Sequence, residues 1–230
     1  MNLKFKQLYD SVSSTYTYIL YDKTSLEAVV IDPVLENFER DLTLIKQLNL
    51  KVLYTLETHI HADHITSSFK LREQLNSKIV LRKSANIDCA DVLIEDGQTL
   101  NFGEFRIKAI ATPGHTDTCT TFNCENMLFT GDTLLIRGCG RTDFQQGSSV
   151  KLFKSVREKI FAFPDETLVY PAHDYKGFTS SSVGEEKLYN SRLALDKTKE
   201  EFVEIMENLN LDHPKKIKEA VPANLKCGNN

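Results

Sequence analysis

The chain has 230 residues, 41 % of them hydrophobic and 26 % charged, a balance that fits a soluble globular protein of one large domain or a domain with a small appendage. Its formal charge of −4 offers no overall attraction to nucleic acid or to an anionic membrane, so neither is expected as a partner. No run approaches the roughly 18 apolar residues of a spanning helix, and the N-terminal "MNLKFKQLYDSVSS" has neither a signal core nor a transit-peptide composition. A cytoplasmic location is the expectation, with the mitochondrial matrix open if a presequence has been removed. Five cysteines, Cys89, Cys119, Cys124, Cys139 and Cys227, are odd in number and form no CxxC pair, so a reducing compartment and no disulfide framework are expected.

In chain order, β-branched and aromatic runs predict strands at 15–20 ("TYTYIL") and 27–32 ("EAVVID"). Leu35, Phe38, Leu42, Ile45 and Leu48 then recur at helical spacing. Further strands are predicted at 51–59, 78–81, 105–112 and 126–132. A second stripe, Phe153, Val156, Ile160 and Phe163, follows the N-cap candidates Ser148 and Ser149 and stops at Pro164; a last strand is expected at 167–173. The polar stretch "FTSSSVGEE", 178–186, is the one candidate seam, and beyond it Phe202, Ile205, Met206 and Leu209 mark a helix. This interleaving predicts an α/β, layered α+β architecture, with a main domain over 1–177 and a C-terminal helical extension over 178–230 packed on it.

Five of the six histidines gather near strand ends: His59, His61 and His64 after "VLYTLET", His115 after "IKAIATPG" and His173 after "LVYPA"; only His213 stands apart. Asp63 and Asp132 lie among them. Loops at strand ends converge into sites because the strands fix where they project. In "THIHADH", extended backbone places His59 and His61 on one side, and the turn beyond brings Asp63 and His64 round. Imidazole with carboxylate suits zinc, iron or manganese rather than the all-oxygen preference of calcium or magnesium. A transition-metal site is therefore indicated, with the number of metals left open.

Together, "THIHADH", "TPGHTD", "FTGD" and "PAHDY" resemble the metallo-β-lactamase superfamily, which implies an αββα sandwich with its metal at one edge between two sheets. Within it, "GDTLLIRGCGRTDFQQG" (131–147), "YPAHDYKGFT" (170–179) and "AVPANLKCG" (220–228) resemble the persulfide dioxygenases, also called sulfur dioxygenases, along nearly the whole chain. That resemblance implies a mononuclear non-haem enzyme with one Fe(II) per chain, held by His59, His115 and Asp132, that oxidises glutathione persulfide with O2 and water to sulfite and glutathione. It places His61, Asp63, His64 and His173 around the iron, at positions that bind metal in dinuclear relatives, as residues behind the ligands or as a vacant second metal position. It further implies substrate binding by Tyr175 and Arg192, Arg141 at the site loop or the substrate, Thr116 beside a ligand, and a homodimer. No catalytic residue beyond the iron ligands is expected. Ser67 and Ser148 stand where members of the family often carry glycine and cysteine; neither is a ligand position. Cys139 reads either as a reactive thiol or as a small buried residue in a Gly-rich turn.

Glyoxalase II, a dinuclear hydrolase of S-lactoylglutathione, shares all the metal residues and the "GCGR" turn. Three features favour the dioxygenase: "TDFQQG" after Arg141, "PAHDY" in place of a Cys-Gly-His-Glu type segment, and only 57 residues after His173. A non-catalytic metal-binding module is the remote alternative, disfavoured because no ligand is missing.

Overall fold

Alternation along two central strands sets the layers. On β2 (Thr15–Asp22), Tyr16, Tyr18 and Leu20 enter one apolar cluster while Ile19 enters another; on β3 (Glu27–Ile31), Val29 and Ile31 oppose Ala28 and Val30 in the same way. Both faces of this sheet are covered, so its central strands read as almost unbroken apolar runs. The computed structural model describes residues 2–212 and 214–229, which leaves His213 outside the described residues.

β1 (Leu3–Asp10), β2, β3, β4 (Lys51–Leu56), β5 (Lys78–Arg82) and β6 (Val92–Ile94) form one six-stranded sheet in chain order, antiparallel up to β3 and parallel beyond it. The second sheet runs, in reverse order, from β12 (Ser181–Ser182) through β11 (Leu168–Pro171), β10 (Met127–Gly131), β9 (Thr120–Cys124) and β8 (Phe105–Ala111) to β7 (Thr99–Phe102). Its one parallel pair is β10 with β11.

Parallel neighbours need crossovers, and helices supply them. α1 (Phe38–Gln47) and α2 (Ser68–Leu75) set Phe38, Leu42, Ile45 and Leu71 on the outer face of the first sheet, against Ile19, Val30 and Val52. α3 (Ser149–Lys154) runs on as a π-helical segment over Ser155–Ile160 and crosses between β10 and β11. With α5 (Lys199–Glu207) it packs Leu152, Val156, Phe202 and Met206 against Leu128 and Val169 of the second sheet. Between the sheets lie Tyr18, Leu20, Ile31, Leu56, Phe102, Phe122 and Phe129, each buried side chain contributing about 1.5–3 kcal/mol of transfer free energy. The result is helix, sheet, sheet, helix.

The seven predicted runs all contain strands, but β4 stops at Leu56 and β11 at Pro171, where the chain leaves the sheets to form the site loops. β1, β6, β7, β9 and β12 are additional. The polar stretch 178–186 is stitched into the body: Ser181 and Ser182 pair with Val169 and Leu168, and the Ser182 hydroxyl caps α4 (Val183–Tyr189) by accepting from the Glu185 amide. Among the described residues, no helix is long and apolar enough to cross a membrane.

The expectation of no disulfide is overturned. Cys89, after β5, is joined to Cys227, just beyond α6 (Ile217–Asn224), at a sequence separation of 138. Cysteine spacing gave no sign of it, because only the return of the C-terminal segment to the first sheet brings the two together; the case for a reducing compartment made from cysteine count falls with it. Cys119, Cys124 and Cys139 are free and buried.

Candidate metal centre

Four loops at neighbouring strand ends build the site. His59, His61, Asp63 and His64 follow β4, His115 follows β8, Asp132 follows β10 and His173 follows β11. His59, His115 and Asp132 bring ligand atoms within 4.8 Å of one another, and a second set, His61, Asp63 and His173, does the same beside it. The His59 and His115 rings meet edge to face at 4.9 Å, and His115 Nε2 lies 3.5 Å from Asp132 Oδ2. His173 Nε2 sits 3.6 Å from both Asp63 Oδ2 and Asp132 Oδ1, linking the two sets. His64 stands at the back of the second set, its Nδ1 3.0 Å from Asp63 Oδ2.

The first set is oriented from behind. The Thr58 hydroxyl donates to Asp32 Oδ2 at 2.8 Å, so its oxygen accepts from His59 Nδ1 at 3.0 Å and leaves the Nε2 lone pair for the site. His115 Nδ1 donates to the Arg141 carbonyl at 2.6 Å, which frees its Nε2 in the same way. Gly140 makes this approach feasible: a Cβ there would lie 2.6 Å from the Asp132 carbonyl and 2.8 Å from His115 Nδ1.

The donor set fits a divalent transition metal. Burial, reinforced by the neighbouring His61 and His115, holds the His59 imidazole well below its ordinary pKa, so it is neutral and its lone pair is available. His64 Nε2 and Asp132 Oδ1 are buried with no hydrogen-bond partner among the described residues, as expected of atoms reserved for a ligand. His61 differs. Burial opposes its protonation, but Asp32, 3.1 Å from Nε2, together with Asp63 and Glu57, lifts it to about 9. Burial in turn raises Glu57 to about 7. The carboxylates around His61 thus favour its protonated form when no metal is bound. Asp32 and Glu57 were not singled out from sequence; each lies inside or beside an apolar run, with no spacing to mark it.

A cavity of about 460 Å³ opens over the first set. Tyr175 and Arg192 line it, and the Tyr175 ring stacks on His173 at 5.9 Å. Arg192 lies in the turn between α4 and α5, where its Nη1 donates to the Cys139 carbonyl at 3.0 Å; it forms no ion pair among the described residues. Arg141 also lines the cavity but is committed: its guanidinium grips Asp143 through two bonds of 2.7 Å and donates to the carbonyls of Leu211 and Asp212. Thr116 is buried behind His115, is not among the lining residues, and directs its hydroxyl to Thr118 and Cys119. Cys139 lines the cavity but is only 4 % exposed, and burial pushes its thiol up to about 11, which favours the small buried residue of the two readings. Lys176, unremarked in the sequence, is a further cation at the cavity rim.

Two layered sheets with a histidine and carboxylate cluster at their common edge define a metallo-β-lactamase superfamily protein, and that superfamily's family model matches residues 11–86 and 89–173. The human mitochondrial persulfide dioxygenase ETHE1 is 54 % identical over 226 residues, 97 % of this chain and 88 % of the human one. The crystal structure of ETHE1 from Myxococcus xanthus superposes with a TM-score of 0.95 at 49 % identity, covering 98 % of this chain and all of that one. Glyoxylase B2 of Dictyostelium discoideum is 27 % identical over 257 residues, 94 % of this chain and 88 % of its own. The chain belongs to the persulfide dioxygenase family.

Proposed function

We propose that this protein is a mononuclear non-haem Fe(II) persulfide dioxygenase that converts glutathione persulfide, O2 and water to glutathione and sulfite, with one iron per chain held by His59, His115 and Asp132. The observation that carries the reading is the 54 % identity to a persulfide dioxygenase across 97 % of the chain, about twice the identity to a glyoxylase. The donor set supports it, since two histidines and one carboxylate on one face suit iron(II) and leave coordination positions open. Bound there, iron(II) supplies the electron exchange with dioxygen that no side chain offers.

The chain's own residues do the rest. Thr58 and the Arg141 carbonyl fix the faces that His59 and His115 present. His61, with Asp63, His64 and His173, forms the neighbouring wall, read here as a second metal position that stays vacant. In the cavity, the guanidinium of Arg192 takes a glutathione carboxylate and the Tyr175 hydroxyl a second polar group. Arg192 reaches the cavity from the extension 178–230. Arg141 serves the loop rather than the substrate, and Thr116 supports the turn behind His115. The chain is proposed to act as a homodimer.

Metal content per chain on protein purified without added metal, with oxygen uptake on glutathione persulfide from the same sample, tests this reading. About one iron per chain with persulfide-dependent uptake is expected. Close to two metals per chain, no uptake and hydrolysis of S-lactoylglutathione would make it a glyoxalase instead.

A further inference from the structure

The loop from His59 to Thr66 belongs to no helix or named strand, Thr66 making only an isolated bridge to Val34, so its buried backbone groups need partners from elsewhere. One side chain supplies three of them. Asn224, at the end of α6 and 3 % exposed, donates from Nδ2 to the carbonyls of His61 and His64, both at 2.8 Å, and accepts the Thr66 amide on Oδ1 at 2.9 Å. The residues just after it press on the end of this loop and on the first turn of α2. Gly228, at φ +81°, comes so near that a Cβ would lie 2.1 Å from the Thr66 carbonyl, and the Cys227 carbonyl accepts the Phe69 amide at 3.1 Å. Cys227 is in turn bonded to Cys89 beside the first sheet. Asn224, Cys227 and Gly228 lie beyond residue 173, where the match to the superfamily model ends.

We propose that residues 224–228 are a clamp on the metal loop, with Asn224 as its positioning residue and the Cys89–Cys227 bond as its anchor. The proposal rests on the assignment of His59, His115 and Asp132 as metal ligands. Asn224 touches no ligand. It acts through the backbone of His61 and His64, and because the His61 and His59 rings are 4.1 Å apart, a displaced loop carries the imidazole row with it. The amide is specific for this task, since it alone offers two donors toward two carbonyls and an acceptor toward one N–H. Aspartate keeps the size and the acceptor but turns carboxylate oxygen on both carbonyls.

The full chain, stripped of metal and titrated with cobalt(II) against a chelator, tests the clamp, with visible ligand-field spectra and melting curves from the same samples. For Asn224→Asp the expected results are a Kd raised about 10–100-fold, the usual reach of residues that orient metal ligands, and an altered cobalt spectrum. Wild-type Kd and spectrum, with only a lower melting temperature, would overturn the proposal by reducing Asn224 to a structural residue. Cys89→Ser keeps Asn224 and cuts the anchor; faster cobalt loss to excess chelator is expected, and a wild-type rate would overturn the anchoring role. If Asn224→Asp does not fold, Cys89→Ser carries the test alone. Cobalt binding needs neither persulfide nor dioxygen, so a protein that binds it through an intact clamp yet takes up no oxygen would refute the dioxygenase reading alone.

Discussion

Two arginines that line one cavity have opposite fates, and the difference is one of pairing. Arg141 spends its guanidinium on Asp143 and on two carbonyls, whereas Arg192 donates only to the carbonyl and, at 3.8 Å, the sulfur of Cys139 and faces the cavity without a carboxylate partner among the described residues. A charge-assisted bond to a substrate carboxylate contributes about 1.5–3 kcal/mol, so Arg192→Ala should raise the Michaelis constant for glutathione persulfide by about ten-fold or more. Turnover should change little, because the contact is made alike in ground and transition states. Steady-state oxygen uptake over a range of substrate decides it, and an unchanged Michaelis constant would remove Arg192 from the substrate site. The sequence placed Arg192 in the right region, but as a lone arginine without a motif it carried no sign of its pairing; that depends on where Cys139 and the α4–α5 turn meet.

At the scale of elements, strand ends are legible and the supports behind them are not. His59, His115, Asp132 and His173 each terminate a β-rich run, so period-two patterning and an abrupt polar residue were enough to find them. Asp32 and Glu57 sit at similar ends but belong to no dense motif, and Asn224 is 158 residues from Thr66, whose amide it satisfies; nothing local encodes that contact. The Gly-rich turn after β10 shows the same limit. "GCGR" is conspicuous in sequence, yet only the packed structure shows that Gly140 is needed because two candidate ligands crowd its Cα. In Gly140→Ala the added methyl would stand 2.6 Å from the Asp132 carbonyl and 2.8 Å from His115 Nδ1, so either the turn or both ligands must shift. The expected outcome is a protein that folds but retains at most about a tenth of the normal metal content after dialysis against a weak chelator. Full retention would mean that the turn yields without disturbing the site.

Across the whole molecule, the two sheets follow from alternation and from crossover helices, and those parts of the architecture were readable. The closure of the chain on itself was not, because it depends on α6 and the turn after it returning Asn224 and Cys227 to loops of the first sheet. The Cys89–Cys227 bond spans 138 residues, so in the chain-entropy account it restricts the unfolded ensemble strongly, by about 5 kcal/mol for a loop of that length. That is a large share of the roughly 5–15 kcal/mol that holds an ordinary domain folded. Metal-free protein treated with a phosphine reductant should therefore unfold at a distinctly lower urea concentration than oxidised protein. Cys89→Ser should show the low midpoint with or without reductant, whereas Cys124→Ser, which leaves the bond intact, should retain the reductant-dependent difference. Equal midpoints for oxidised and reduced wild-type protein would mean that packing of the C-terminal segment, through Asn224 and Gly228 against the loop at Thr66, already holds the two ends together without the covalent link.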